Sequence, residues 1–194
     1  ISPLLFVFFL HFMHILLLKG GKPVTRIRYW NTAGAAFGLL AGTLLHFVYE
    51  WFGGAFWAVV GAVNESTWEH LKLLFFPILL FGILEYLSYG KDTPGFLPIK
   101  TASILLGMGL IVVLFYTYTG ILGFNWAPID ISLFIIGILA AYWFSAKQLE
   151  QPFSWALSSA TTAVSAGILL LLLLFFIVFT FSPPEIGLFL DPVT

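Results

Sequence analysis

Hydrophobic residues occur along this chain in long segments, separated by short breaks that contain glycine, proline or charged residues. A helix of about 20 apolar residues crosses the ~30 Å hydrocarbon core of a bilayer. The clearest breaks are the sequences KGGKP, GKDTPG and NWAP. The pattern predicts an all-α integral membrane protein, a single membrane domain with six transmembrane helices. The predicted helices are approximately 1–18, 31–52, 66–89, 98–120, 130–147 and 155–181.

One apolar segment is too short to cross the membrane as a helix. It is GGAFWAVVGAV, at 53–63, between the second and third predicted spans. Such a segment lies at the membrane interface or dips back into the protein as a re-entrant element. In the second case, the polar residues that flank it lie below the membrane surface.

Composition supports the membrane class and excludes several kinds of partner and chemistry. Hydrophobic residues make up 60% of the chain and charged residues 9%, whereas soluble domains carry about 25% charged residues. The net charge of −1 gives no electrostatic basis for binding nucleic acid. The chain contains no cysteine, which excludes disulfides and thiolate ligands. The predicted partners are therefore the lipid bilayer and either other membrane subunits or a second copy of the chain.

The basic residues predict how the chain is oriented in the membrane. Four follow the first predicted span, Lys91 follows the third with Lys100 shortly after it, and Lys147 ends the fifth. The breaks after the second and fourth spans and the C-terminal tail carry none, and the remaining basic residue, Lys72, lies in the first turns of the third span. Because lysine and arginine concentrate in cytoplasmic loops, we expect a multi-pass protein of the cell membrane in which the loops after the first, third and fifth spans face the cytoplasm. Both termini and the 53–65 loop are then extracytoplasmic. The basic residues used here are Lys19, Lys22, Arg26, Arg28, Lys91, Lys100 and Lys147.

A row of small residues marks one face of the second predicted span. Gly34, Gly38 and Gly42 repeat every four residues, a spacing that lets another helix approach closely. The next steps of the same row are His46 and Glu50. We therefore predict that the glycines pack against another helix and that His46 and Glu50 point towards a neighbour.

The sequence NESTWEHLK, residues 64–72, holds the densest group of polar residues in the chain. Ser66 and Glu69 fit a capping box, in which each side chain bonds the other residue's backbone amide. That pattern does not explain Asn64, Glu65, His70 or Lys72. Together with the second span, the segment predicts one outward-facing polar site. Its candidate residues are His46, Glu50, Asn64, Glu65, Glu69, His70 and Lys72.

Carboxylates and imidazoles in such a cluster are ligands for a divalent metal such as zinc or iron. Lys72 or a free carboxylate is then left for proton transfer. The chain has no HExxH motif, so the metal prediction depends on clustering alone and assigns no catalytic residue. Haem is a weaker candidate because it needs two histidines at one depth on facing helices, which His46 and His70 supply only near the outer surface.

Glu85 lies further along the third predicted span, ~24 Å from Glu69 at about 1.5 Å per residue. This position predicts an interfacial acid near the cytoplasmic end. If Glu85 is buried instead, the acids would form stations on a path for protons or ions.

Several segments together resemble a family of small bacterial and archaeal polytopic membrane proteins of unknown function. They are HFVYEW, VNESTWEHLKL, the proline-containing span after it, and PPEIGLFLDPVT. The resemblance covers most of the chain, and NESTWEHLK is its most specific part. It implies six spans and a C-terminal tail that continues beyond Thr194, and it brings no known activity or catalytic residue.

Three classes of function fit these observations. The first is a metal-dependent membrane hydrolase acting on a lipid or small amphiphile. The second is an ion-coupled transporter or channel, although the sequence shows no internal repeat of the kind that many transporters carry. The third is an accessory or structural subunit of a larger membrane complex. The residues alone do not choose between an enzyme and the other two classes.

Overall fold

The structure, a computed structural model, describes residues 23–192. These residues form six α-helices and no strand. Five of the helices are long and apolar enough to cross a membrane, as predicted for a multi-pass membrane protein. The span predicted at 1–18 lies outside the described residues, so the count of six spans stays a prediction. The helices are α1 (Pro23–Phe52), α2 (Gly54–Val60), α3 (Thr67–Ser88), α4 (Phe96–Leu122), α5 (Ala127–Glu150) and α6 (Ser159–Phe181).

The five long helices run alternately up and down. His46 of α1 packs against His70 of α3 at one end of the bundle, which we call the His70 end. Arg28 of α1 pairs with Glu150, the last residue of α5, at the opposite end. We call this the Lys100 end. Helices α1, α4 and α6 run towards the His70 end, and α3 and α5 run back.

Helix α1 begins at Pro23, before the predicted start at residue 31, and so includes the basic residues Arg26 and Arg28. Pro23 occupies its first turn, where the missing N–H is not needed. Arg26 donates hydrogen bonds to the carbonyl and hydroxyl oxygens of Ser88, at 2.6 and 2.9 Å. Helix α1 ends at Phe52, because Gly53 takes a positive φ of 60°, which favours glycine.

The glycine row of α1 lies where this helix approaches its neighbours most closely. A methyl group added at Gly34 would overlap the Tyr142 ring of α5, and Gly38 faces α5 one turn later. A methyl group at Gly42 would lie 2.5 Å from the carbonyl oxygen of Leu73 in α3. The row therefore sets the distance from α1 to both α3 and α5.

The short apolar segment after α1 forms helix α2, which contacts α1, α3 and α6. Its seven residues span only ~10 Å, too little to cross a bilayer. Ala58 is buried, whereas Phe56 is exposed. Whether α2 lies at the interface or re-enters the membrane stays a prediction.

A buried ion pair links three helices at the Lys100 end. Lys100 of α4 lies 2.6 Å from a carboxylate oxygen of Glu85 in α3. The Lys100 ammonium also donates to Asn31 of α1 at 3.3 Å, and the Tyr89 hydroxyl donates to Glu85 at 2.9 Å. The ammonium lies 5.0 Å from the ring centroid of Tyr142 in α5.

Two expectations from the sequence change as a result. Glu85, predicted to be interfacial, has no exposed surface, because its carboxylate is enclosed by the helices that supply its partners. Lys100 is among the basic residues from which the orientation is predicted. It lies inside α4 and is itself buried, so it carries no information about the sidedness of a loop.

Candidate functional site

Three residues predicted for the polar site meet at the His70 end of the bundle. His46 comes from α1, Glu65 from the loop after α2, and His70 from the first turn of α3. The Nε2 atoms of His46 and His70 lie 3.8 and 3.4 Å from the two carboxylate oxygens of Glu65. One potential ligand atom from each residue lies within 4.8 Å of the other two. We call these three residues the His–Glu–His cluster.

The turn before α3 presents Glu65 to the two histidines. Ser66 is the N-cap residue, and its hydroxyl accepts a hydrogen bond from the Glu69 amide at 3.3 Å. The side chain of Asn64 accepts from the Ser66 amide at 2.9 Å. The Glu69 carboxylate accepts from the Val63 amide instead, at 3.0 Å. Only the serine half of the predicted capping box is therefore formed, and Asn64 bonds the amide that Glu69 was expected to bond.

Glu69 and Lys72 form a second buried ion pair, directly behind the loop. The Lys72 ammonium also donates to the Ala58 carbonyl of α2 at 2.7 Å and to the Thr180 hydroxyl of α6 at 3.1 Å. The pair therefore joins α2, α3 and α6 and fixes the loop that carries Glu65. The two charges neutralise each other, and their remaining hydrogen bonds go to Val63, Ala58 and Thr180.

The loop also passes very close to α1. A methyl group at Gly61 would lie 2.7 Å from the carbonyl oxygen of Leu45, the residue before His46. Glycine at position 61 thus permits the approach that brings Glu65 to His46.

The orientation of His70 is fixed by its own helix. Its Nδ1 atom lies 2.9 Å from the carbonyl oxygen of Ser66. A carbonyl only accepts, so Nδ1 carries a hydrogen and donates it. The Nε2 atom is then directed towards Glu65. Metal-binding histidines are usually held in this way, with the second nitrogen donating to a carbonyl or carboxylate.

Glu65 carries its charge in this setting. When His70 carries a hydrogen on both ring nitrogens, its hydrogen bond lowers the pKa of the Glu65 carboxyl, against the opposing effect of partial burial, and the charges of both histidines act in the same direction as the hydrogen bond. The carboxylate is therefore ionised at neutral pH. Its side chain is 52% exposed, so solvent reaches the cluster.

Glu50 lies outside the cluster. It is exposed one turn beyond His46, and its carboxylate interacts electrostatically with that histidine. It does not belong to the group of three ligand atoms found among the described residues.

A cavity of about 460 Å³ extends from the cluster into the bundle, between α1, α3, α4 and α5. Its polar groups lie at the His70 end, where His46, Glu65 and His70 line the wall. Apolar side chains form most of the remaining wall. They include Phe47, Leu73, Ile111, Phe115, Leu133 and Phe134.

Asp130 is a further polar residue of this cavity that the sequence did not single out as a site residue. It lies in the first turn of α5, and its carboxylate accepts hydrogen bonds from the Tyr118 hydroxyl and, at 3.5 Å, from the Asn125 amide. It interacts electrostatically with His70. One feature of the sequence could have identified Asp130. It is an acid at the start of the fifth predicted span, and because successive spans alternate in direction, that span begins at the same end of the bundle as α3.

Comparison with known proteins places the chain in a family without assigning it an activity. No curated protein and no solved structure matches it. A family model does match, over residues 19–194. This confirms the predicted membership of a family of unknown function. The chain belongs to DUF6512, a family of unknown function.

Proposed function

We propose that the His–Glu–His cluster binds one divalent transition-metal ion, preferably zinc, and that the protein is a metal-dependent hydrolase of the membrane. The observation that carries the proposal is the spacing of the three ligand atoms. Around a tetrahedral zinc ion with bonds of ~2.0–2.1 Å, neighbouring ligand atoms lie roughly 3.3 Å apart. The His70 nitrogen lies 3.4 Å from one Glu65 oxygen and the His46 nitrogen lies 3.8 Å from the other. One ligand atom from each of the three residues lies within 4.8 Å of the other two, so small side-chain shifts would bring all three to this spacing.

The ligand types also favour such an ion. Two imidazoles and one carboxylate suit zinc in hydrolases and non-haem iron(II) in oxygenases. Of these two metals, zinc binds more tightly to a given set of nitrogen and oxygen ligands. Calcium and magnesium prefer oxygen ligands throughout, which this cluster does not supply.

Three protein ligands leave one coordination position for water or substrate, the arrangement of catalytic zinc sites. A metal ion held by these residues would lower the pKa of a coordinated water to ~7 and so supply the nucleophile for ester hydrolysis. The water oxygen would bond to the acyl carbon or phosphorus as the bond to the leaving oxygen breaks, and the proton of the water would pass to that leaving oxygen. Asp130 lines the same cavity, and we assign it the transfer of this proton.

The geometry favours an ion over haem. The rings of His46 and His70 pack directly on each other, with centroids 5.3 Å apart and planes inclined by 37°. Bis-histidine haem requires the two imidazoles on opposite faces of a macrocycle, and the packed rings leave no room for one.

The positions of the buried acids argue against a path for ions through the bundle. Glu69 and Glu85 are ~24 Å apart along α3. Between them α3 contributes Phe75, Ile78 and Phe81 to the buried apolar core. Each acid already has a lysine partner. The two pairs are therefore better explained as links between helices than as stations of a transport route.

We further propose that the His70 end faces outward. Arg26, Arg28, Lys91 and Lys147 all lie at the Lys100 end, and this asymmetry supports a cytoplasmic location for that end. Because the chain has no cysteine, single cysteines can report the topology. In intact cells, an impermeant thiol reagent is expected to label Glu185→Cys and not Lys91→Cys, both at exposed positions. Labelling of Lys91→Cys alone would show that the orientation is opposite to the one proposed.

The metal itself is tested by loading the purified protein with zinc and measuring its content and affinity. We expect one zinc per chain. Changing His46 or His70 to alanine, or Glu65 to glutamine, is expected to weaken binding by about 100-fold or more, since loss of an outer partner alone already costs about 10–100-fold. Affinity is expected to fall as the pH is lowered, because protons compete for both imidazoles.

Glu50→Gln is the matched control, because it removes an exposed carboxylate one turn from His46 without removing any of the three ligands. It should keep one zinc ion with nearly the same affinity. Zinc binding that survives changes at both histidines, in folded variants, would refute the proposal. Stoichiometric iron in place of zinc would keep the ligands and change the reaction class.

A further inference from the structure

The cavity beside the cluster has the form of a chain-binding site. Its volume of about 460 Å³ lies within the range of ligand pockets, about 300–1,000 Å³. Polar groups occur at the His70 end, and the walls deeper in the bundle are built from residues such as Leu73, Ile111 and Leu133. A ligand that fills it must combine one polar end with an apolar body.

The rim of the cavity indicates where such a ligand enters. Thr43 and Phe47 of α1 and Ile131 of α5 line the cavity and are exposed, Phe47 by 40% and Ile131 by 60%. Further into the bundle, Gly42 and Phe134 bring the same two helices into contact. The cavity therefore opens sideways between the ends of α1 and α5, through a mainly apolar rim.

The depth of the cluster matches the head-group boundary of a bilayer. Trp51 near the end of α1 and Trp126 at the start of α5 are both 56% exposed, and exposed tryptophans mark the membrane interface. His46 precedes Trp51 by five residues, or ~7.5 Å of helix. The cluster is thus placed just inside the interface, where the ester and phosphate groups of lipids lie.

We propose that this cavity binds a lipid of the adjoining leaflet, which enters sideways between α1 and α5. Its acyl chain lies against Ile111, Phe115 and Leu133, and its ester or phosphate oxygens lie at the His–Glu–His cluster. The proposal that the acyl chain binds here is argued from the cavity alone. The contact of the head group with a metal ion rests on the proposed function. A small water-soluble substrate would find few polar partners along these walls.

The test uses the full chain in phospholipid vesicles that contain a phosphatidylcholine with a photoreactive acyl chain. After illumination, mass spectrometry locates the labelled residues. We expect labelling of Phe115 and Leu133, whose side chains line the cavity, in protein with and without zinc. Labelling confined to outward-facing residues such as Ile136 and Leu139 would overturn the proposal.

Two variants and one control show whether the cavity is the place of binding. Leu133→Trp fills it from α5, while Ile136→Trp, on the exposed side of the same helix, is the matched control. The first should lose the cavity labelling, and the second should keep it. Thr43→Trp narrows the rim at an exposed position, so it tests entry without crowding the core. Cavity labelling that persists in folded Leu133→Trp and in Thr43→Trp would contradict lateral entry into this cavity.

Zinc content measured on the same samples separates the two proposals. One zinc per chain with an unlabelled cavity would refute the lipid site and leave the metal site standing. A labelled cavity in a protein that binds no zinc would refute the metal site and leave the chain-binding site.

Discussion

Replacing Lys100 by methionine is expected to lower the free energy of unfolding by about 3–5 kcal/mol, the range found when one partner of a buried ion pair is removed. The change leaves the Glu85 carboxylate without its cation in a position with no exposed surface. The hydrogen bond from Tyr89 remains but does not balance the charge. Reversible unfolding in mixed micelles of a mild detergent and dodecyl sulfate measures the effect.

Two further variants show whether the charge is responsible. Lys147→Met removes an exposed lysine of α5 and should change the free energy of unfolding by less than about 0.5 kcal/mol. The double variant Glu85→Leu and Lys100→Met removes both charges and should recover much of the loss, because apolar replacement of a buried pair is often neutral. A Lys100→Met variant as stable as Lys147→Met would show that the pair does not hold the helices together.

Replacing Gly42 by leucine is expected to prevent correct packing of α1. The first side-chain carbon would already lie 2.5 Å from the Leu73 carbonyl oxygen and from the Phe134 ring. A backbone carbonyl cannot rotate away, so the two helices must separate. Overpacking costs about 1–3 kcal/mol where side chains can adjust, and we expect a larger loss here. Thermal unfolding and the yield of monodisperse protein after purification measure it.

Gly109→Leu provides the comparison, because nothing lies within 4 Å of the corresponding position in α4. This variant should be at least as stable as the native protein, since leucine favours a helix more than glycine does by up to about 1 kcal/mol. If Gly42→Leu is tolerated equally well, α1 does not depend on the close contact at Gly42.

The sequence predicts the long helices well because their signal is local. An apolar segment of sufficient length indicates a spanning helix whatever it packs against. The approach of His46 to His70 also follows from local information. The glycine row indicates the packed side of α1, and two consecutive spans joined by a short segment lie antiparallel. Glu65 is close to both histidines because the turn at Asn64 and Ser66 is encoded by capping residues.

The partners of the buried charges could not be predicted in the same way. Glu69 and Lys72 look like exposed residues of a polar helix end, and the packing of α2 and α6 against α3 covers them. Lys100 resembles a cytoplasmic loop charge until α3 and α4 are paired, which brings Glu85 to it. Asp130 requires knowledge of which helices surround the cavity. The contact of Lys72 with Thr180 joins residues far apart in the chain, where hydropathy carries no information.

X-ray absorption at the zinc edge of the zinc-loaded protein tests the metal site most directly. The proposed ligands predict two imidazole nitrogens at ~2.0–2.1 Å and carboxylate or water oxygens at ~2.0–2.2 Å. The imidazole contribution should fall by half in His46→Ala and in His70→Ala. A spectrum with oxygen neighbours only, or with an imidazole signal unchanged in both variants, would show that the ion is held elsewhere.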